Sequence, residues 1–323
     1  MRLLAALPLL LAQAEAPPAR LASEATAEVV KVVDGDTLDV RLEGEVVTLR
    51  LLAVDTEEKI SGRPLASRTK PQTVFGQETA EWARALFAGL GAAPRVGLAF
   101  PEGRRRDAYG RLLCHVLLPD GRNFNLLLVE LGKSPYFNKY GNDRALHAEF
   151  VRAQAAAREQ RLGIWDPATN RARTPGAPSA VRPYAELLPW WDARAAAIEG
   201  FRARVAAGDE TLVSHEDSAG LARAFERCRA DPAARVTVFG AIERFYDEPD
   251  GSLTALLRAG ERETSLRATI PAAERSALEP WLRASTEEFR QNYLTVTGRL
   301  ERGPRGLLLS GAAWQLAEPA YPR

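Results

Sequence analysis

Hydrophobic positions alternate along residues 45–54, where Val47, Leu49, Leu51 and Ala53 share one side of an extended chain and Arg50 falls on the other. The same period of two marks strands at residues 28–42, interrupted at Gly35, and at 95–100 and 112–118. Glu43-Gly44 and Pro119-Asp120-Gly121 supply turns. The period lengthens to that of a helix at residues 78–90, where Trp82, Ala85, Leu86 and Leu90 line up. It does so again at 125–131, closed by Gly132, and at 143–162, where Leu146, Phe150, Ala153 and Ala157 align before Gly163. Five strands with interleaved helices within residues 24–166 predict a small α+β barrel of the OB type.

Residues 167–183 are rich in proline and poor in apolar side chains, which predicts a linker crossed by few contacts. A chain ending near Pro175 is then expected to fold and work without the C-terminal residues. Residues 184–230 read as a helical segment, with Trp191, Ile198, Phe201 and Val205 on one face and a second helix over 218–229. Over residues 233–318 the period returns to two, with strands at 236–242, 253–257, 265–270, 293–300 and 307–316 and a helix at 272–282. This order predicts a second OB-like barrel. Phe239, Phe245, Tyr293 and Trp314 there either bind single strands or a partner, or simply fill a core.

The chain has 323 residues, enough for two modest domains, and its 46% hydrophobic and 26% charged content is that of a soluble globular protein. The formal net charge is +1, and residues 24–166 carry twenty Lys or Arg against twenty Asp or Glu. Attraction to a polyanion must therefore come from local arginines and a bound cation rather than the overall field. Arg2, the apolar run at residues 3–11 and the Ala12-Gln13-Ala14 exit predict a cleaved signal peptide over residues 1–14, hence a secreted or periplasmic protein. The run is too short for a membrane anchor. Cys114 sits in a strand pattern and Cys228 in a helical one, so both are expected to be small buried apolar residues rather than a disulfide.

Candidate chemistry lies in three segments: Val33-Asp34-Gly35-Asp36-Thr37, Arg50-Leu51-Leu52-Ala53-Val54-Asp55-Thr56-Glu57-Glu58 and Asp107-Ala108-Tyr109-Gly110-Arg111. Asp-Gly alone is most often a turn. With Asp55 at the end of a strand able to pair beside it, Asp36 and Asp55, a backbone carbonyl and waters make an oxygen site suited to Ca²⁺. His115, His147 and His215 form no cluster of the kind zinc requires and read as ordinary surface or strand residues. Glu58 is either part of a solvated acidic loop or a carboxylate at the rim of that site, placed to take a proton from water. Arg50 and Arg111 are either strand-borne surface charges or two planar forks that bind a phosphate bidentately. Arg104-Arg105-Arg106 are phosphate contacts or a solvated run.

Together these segments, with Gly76-Gln77-Glu78-Thr79-Ala80 and the closing Leu162-Gly163-Ile164-Trp165, resemble the staphylococcal nuclease family over residues 28–165. The resemblance implies a calcium-dependent phosphodiesterase acting on DNA, RNA or both, leaving a 3′-phosphate and a free 5′-hydroxyl. It implies that Asp36, Asp55 and the Thr56 carbonyl hold the metal, that Glu58 acts on the water, and that Arg50 and Arg111 grip the phosphate. Tyr109 and Tyr140 then line the nucleotide pocket. The alternative is a catalytically weak or inactive nucleic-acid- or protein-binding module, and the presence of all five charged residues favours the enzyme. Three departures stand out. Glu57 replaces the proline of D-T-P-E, Thr79 is an added residue in G-x-E-A, and Asn138 holds a second nucleotide-pocket tyrosine position, which weakens the expected stacking there.

Overall fold

The computed structural model of the protein describes residues 21–61, 72–100, 105–107, 109–169, 182–257, 265–286 and 292–319. The expected leader at 1–14, most of the expected linker, and Arg104 lie outside them. The first unit is a closed barrel of β1 (Ala25–Asp34), β2 (Thr37–Leu42), β3 (Glu45–Leu51), β4 (Arg95–Ala99) and β5 (Leu112–Leu117). The strands follow the order β1-β2-β3-β5-β4, and β4 pairs back onto β1. The pairs are antiparallel except β3 with β5, which run parallel with Arg50 opposite Leu113. Alternation puts Leu38, Val40, Leu49, Leu51 and Leu98 wholly inside, as expected from a period of two.

Helix α1 (Val74–Gly89) begins earlier than the apolar spacing predicts, because the Thr73 hydroxyl caps it by accepting from the Gly76 amide and its first turn buries Phe75. Helix α2 (Phe124–Glu130) is capped by Asn123. Helix α3 (His147–Glu159) begins later than predicted. Asp143 holds the preceding turn by accepting from the amides of Ala145 and Leu146. Its other oxygen lies 2.6 Å from Nε2 of the fully buried His115. Burial pushes the Asp143 carboxyl up, but His115 and these amides outweigh it and hold it below the usual range. His115 is therefore a core residue rather than an ordinary strand one. Cys114 and Cys228 are both buried and free, and burial pushes the Cys114 thiol up to about 12.

Helix α4 (Tyr184–Ala206) spans both units. Its first half packs Tyr184, Leu187, Leu188, Trp190 and Trp191 against Phe75, Phe137 and Ile164 of the barrel unit. Further along, Ile198 and Phe201 pack with Phe239 and Tyr293. The expectation of few contacts across this junction is thus not met. The second unit contains β6 (Leu212–Ser214), α5 (Ser218–Ala230), β7 (Val236–Gly240), β8 (Arg244–Asp247), β9 (Leu253–Leu257), β10 (Leu266–Ile270), α6 (Ala272–Ala284), β11 (Leu294–Gly303) and β12 (Gly306–Leu316).

The expected second barrel is instead a seven-stranded sheet in the order β6-β7-β11-β12-β10-β9-β8. Among the described residues it is open. β6, donated by the helical segment, pairs with the edge of β7 that closure onto β8 would need, so β8 pairs with β9 alone. Phe239 and Tyr293 fill core, as one of the two sequence readings has it. Among the described residues no helix is long and apolar enough to cross a membrane.

A chain ending at residue 175 lacks α4 and leaves Phe75, Phe137 and Ile164 uncovered. It is expected to melt lower than the full chain by on the order of 10 °C, measured by circular dichroism. An unchanged melting temperature would show that the barrel needs no cover from α4.

Candidate active site

The turn between β1 and β2 carries the first carboxylate. A register shift between Val32 and Asp34 ends the regular ladder, and Asp34 pairs with Thr37 around Gly35 and Asp36. A Cβ on Gly35 would stand 2.8 Å from the side chains of both Thr56 and Thr79, so only glycine lets the turn press against that loop and α1. Asp36 is 4% exposed. Its Oδ1 accepts from the Thr37 hydroxyl at 2.9 Å and its Oδ2 from the Thr56 amide at 2.9 Å.

Strand β3 places Arg50 opposite Thr37 across the ladder, on the side away from the barrel core, where it is nevertheless buried. Its Nη1 lies 2.8 Å from Asp36 Oδ2 and its Nη2 2.6 Å from Asp55 Oδ1. Asp55 can reach back because the chain turns at Leu52 and Ala53, with Ala53 in the left-handed region at φ 64°. The turn is pinned by the Phe137 amide donating to the Ala53 carbonyl and by the Asp55 amide donating to the Ser134 hydroxyl. Burial opposes the Arg50 charge, but Asp36 and Asp55 first, then Tyr140 and Glu58, raise its proton affinity above that of a free guanidinium. Tyr140 and Glu58 are thus within electrostatic reach of Arg50.

A second arginine enters from outside the barrel. Arg182, just before α4 and 3% exposed, places Nη1 2.7 Å from Asp55 Oδ2 and 3.3 Å from the Asp55 carbonyl, and Nη2 3.2 Å from the Thr56 carbonyl. Beside it, Glu57 is 1% exposed and accepts from the hydroxyls of Tyr184, at 3.3 Å, and Thr73. Sequence reading missed Arg182 because it lies in the predicted linker. The available signal was Glu57, an acid at the family's proline position that requires polar partners once buried.

The remaining candidates lie around this cluster. Glu58 is half-buried, and its backbone is held by the Thr73 amide and a bridge to Gln72. A Cβ on Gly76 would fall 2.2 Å from the Glu58 carbonyl oxygen, so glycine lets the start of α1 abut this backbone. Burial, then the charges of Asp36 and Glu58, push the Asp34 carboxyl up to about 7. Arg111 stands next to Leu112, which pairs with Leu49, but its fork is engaged by Asp107 Oδ2 at 2.7 Å. The Arg111 guanidinium also lies 5.3 Å over the ring of Tyr109, which is 69% exposed. Arg106 donates to the Gly110 carbonyl and braces the turn, while Arg105 reaches Glu24 at the surface.

Asn138 is not in an open pocket. It is 2% exposed, accepts from Arg194 Nε at 2.7 Å and donates to the Trp191 carbonyl at 3.2 Å, tying the barrel unit to α4. The structure therefore gathers Asp36, Arg50, Asp55 and Thr56 into one buried cluster, with Glu58 and Tyr140 beside it. Arg111 and Tyr109 form a pair just before β5, the strand that runs beside β3. The donors at the cluster, two carboxylates and a carbonyl, are those a hard cation takes, and the guanidinium of Arg182 already stands among them as a cation. The site fits a calcium ion in kind.

The family model described as staphylococcal nuclease homologue matches residues 48–167. An uncharacterized endonuclease of Escherichia coli O157:H7 is 30% identical over 148 residues, covering 46% of this chain and 82% of that protein. An uncharacterized protein of Methanocaldococcus jannaschii is 31% identical over 155 residues, covering 44% of this chain and 72% of its own length. The SPbeta prophage-derived endonuclease YokF of Bacillus subtilis is 31% identical over 135 residues, covering 42% of each chain. With the five-stranded barrel and the Asp36–Arg50–Asp55 cluster, these likenesses place the chain in the staphylococcal nuclease homologue family.

Proposed function

We propose that the protein is an exported endonuclease that hydrolyses phosphodiester bonds of DNA or RNA and requires calcium. The observation that carries this reading is the buried cluster in which Arg50 bridges Asp36 and Asp55 while the Thr56 amide donates to Asp36. Two relatives named as endonucleases support the reaction class. Asp36, Asp55 and the Thr56 carbonyl would hold the calcium ion. Bound there, the ion would supply positive charge beside the scissile phosphate.

The chain's own residues then divide the work. Glu58, half-buried at the rim, accepts a proton from the attacking water. Arg50 and Arg111 present planar forks to the phosphate oxygens and stabilise the extra charge as phosphorus becomes five-coordinate. Arg111 exchanges Asp107 for the substrate in doing so. Tyr109 and Tyr140 flank the nucleotide. Water adds to phosphorus in line, the bond to the 5′-oxygen breaks and that oxygen takes a proton from solvent, leaving a 3′-phosphate and a 5′-hydroxyl. Residues 1–14 are removed on export, so the mature chain begins at or near Glu15.

Asp36→Ala is expected to abolish cleavage of DNA and RNA, and a chelator in excess to do the same to the wild type. Robust activity in either condition would sink the metal assignment. Arg111→Lys is expected to lose roughly two to four orders of magnitude in kcat, since an ammonium lacks the fork. Near-wild-type turnover by that variant would remove Arg111 from the phosphate clamp. Gly76→Ala is expected to displace the Glu58 backbone and lower kcat while the fold, followed by circular dichroism, persists. Full activity in Gly76→Ala would separate the α1 contact from catalysis.

A further inference from the structure

Arg182 contacts two of the three groups assigned above to calcium, the carboxylate of Asp55 and the carbonyl of Thr56. It is not a casual surface contact. The Tyr184 amide donates to the Arg182 carbonyl at 2.8 Å, and the Tyr184 ring is buried between Trp165, at 5.4 Å, and Trp191, at 6.5 Å. The Tyr184 hydroxyl is fixed on Glu57, whose charge also favours the Arg182 guanidinium. Arg182 is therefore held at its place from both sides.

Charge balance gives the position its meaning. Asp36, Asp55 and Glu57 face Arg50 and Arg182, all five at most 4% exposed. Removing Arg182 leaves three buried acids against the single charge of Arg50, the situation in which a cation binds most readily. A calcium ion needs its oxygens at about 2.3–2.6 Å. An ion that close to Asp55 and the Thr56 carbonyl would sit against the Arg182 nitrogens, and two cations cannot share those oxygens at such a distance.

We propose that Arg182 is a positioning residue that competes with calcium for Asp55 and the Thr56 carbonyl and so sets the calcium concentration the enzyme needs. The ion binds only the fraction of molecules whose Arg182 has swung away, and its apparent affinity falls by that fraction. Glu57, in place of the family's proline, is part of the same device because it helps hold the arginine there. The inference rests on the calcium reading given above.

The test titrates calcium chloride into the full-length protein by calorimetry, comparing wild type, Arg182→Gln, Arg182→Lys and Asp36→Ala/Arg182→Gln, and measures half-maximal calcium for cleavage in parallel. Arg182→Gln is expected to bind calcium at least ~10-fold more tightly than wild type, with half-maximal calcium falling by the same factor. The added Asp36→Ala is expected to abolish that binding. Arg182→Lys, which keeps charge but loses the fork, should shift in the same direction by less, and it decides the matter if Arg182→Gln does not fold. Equal affinities in wild type and Arg182→Gln, with binding lost in Asp36→Ala/Arg182→Gln, would overturn the competition while leaving the calcium site standing. Calcium bound by none of these proteins, with wild type cleaving in chelator, would overturn the calcium reading and the competition with it.

Discussion

A carboxylate removed from water is tolerable only when opposite charge and donors replace what solvent gave it. Asp36 and Asp55 are both buried, and Arg50 lies between them within 2.8 Å of each. Much of the local backbone serves that need. The irregular ladder at the end of β1, the glycine against Thr56 and Thr79, and the left-handed turn at Ala53 bring the two acids to one arginine. Loss of Arg50 would leave two buried anions with only Arg182, on Asp55, to offset them, so this residue holds the cluster together.

The barrel was legible because its strands are half-buried ribbons, and Val47, Leu49 and Leu51 declare that in a few residues. The cluster was legible because its members sit in short, distinctive strings. What escaped was long-range or very short. Arg182 and Asp55 are 127 residues apart, and no local pattern links them. β6 has three residues and β8 four, too few to show a period, yet β6 decides that the second sheet stays open. The late start of α3 depended on Asp143 finding His115 across the fold.

Two positions where the chain departs from its family's pattern have a common physical origin. Glu57 and Asn138 both face the segment from Arg182 through α4: the first holds Tyr184, the second Arg194 and the Trp191 carbonyl. A surface open to substrate would favour a rigid proline and a stacking tyrosine there. A surface covered by a helix requires polar groups that satisfy its buried donors and acceptors. These departures therefore answer to a neighbouring helix, while Arg50 and Asp55 beneath it keep the residues of the family's pattern.

Helix α4 also fixes the two units in rotation. Trp191 faces the barrel unit and Ile198 faces the second sheet, seven residues or about two turns further along one rigid rod. A single residue inserted between them would turn one face against the other by about 100°. Neither unit could then keep its apolar seat without surrendering the other's. The length of that helix is thus a phase relation between two otherwise separate cores, and it tolerates whole turns far better than single residues.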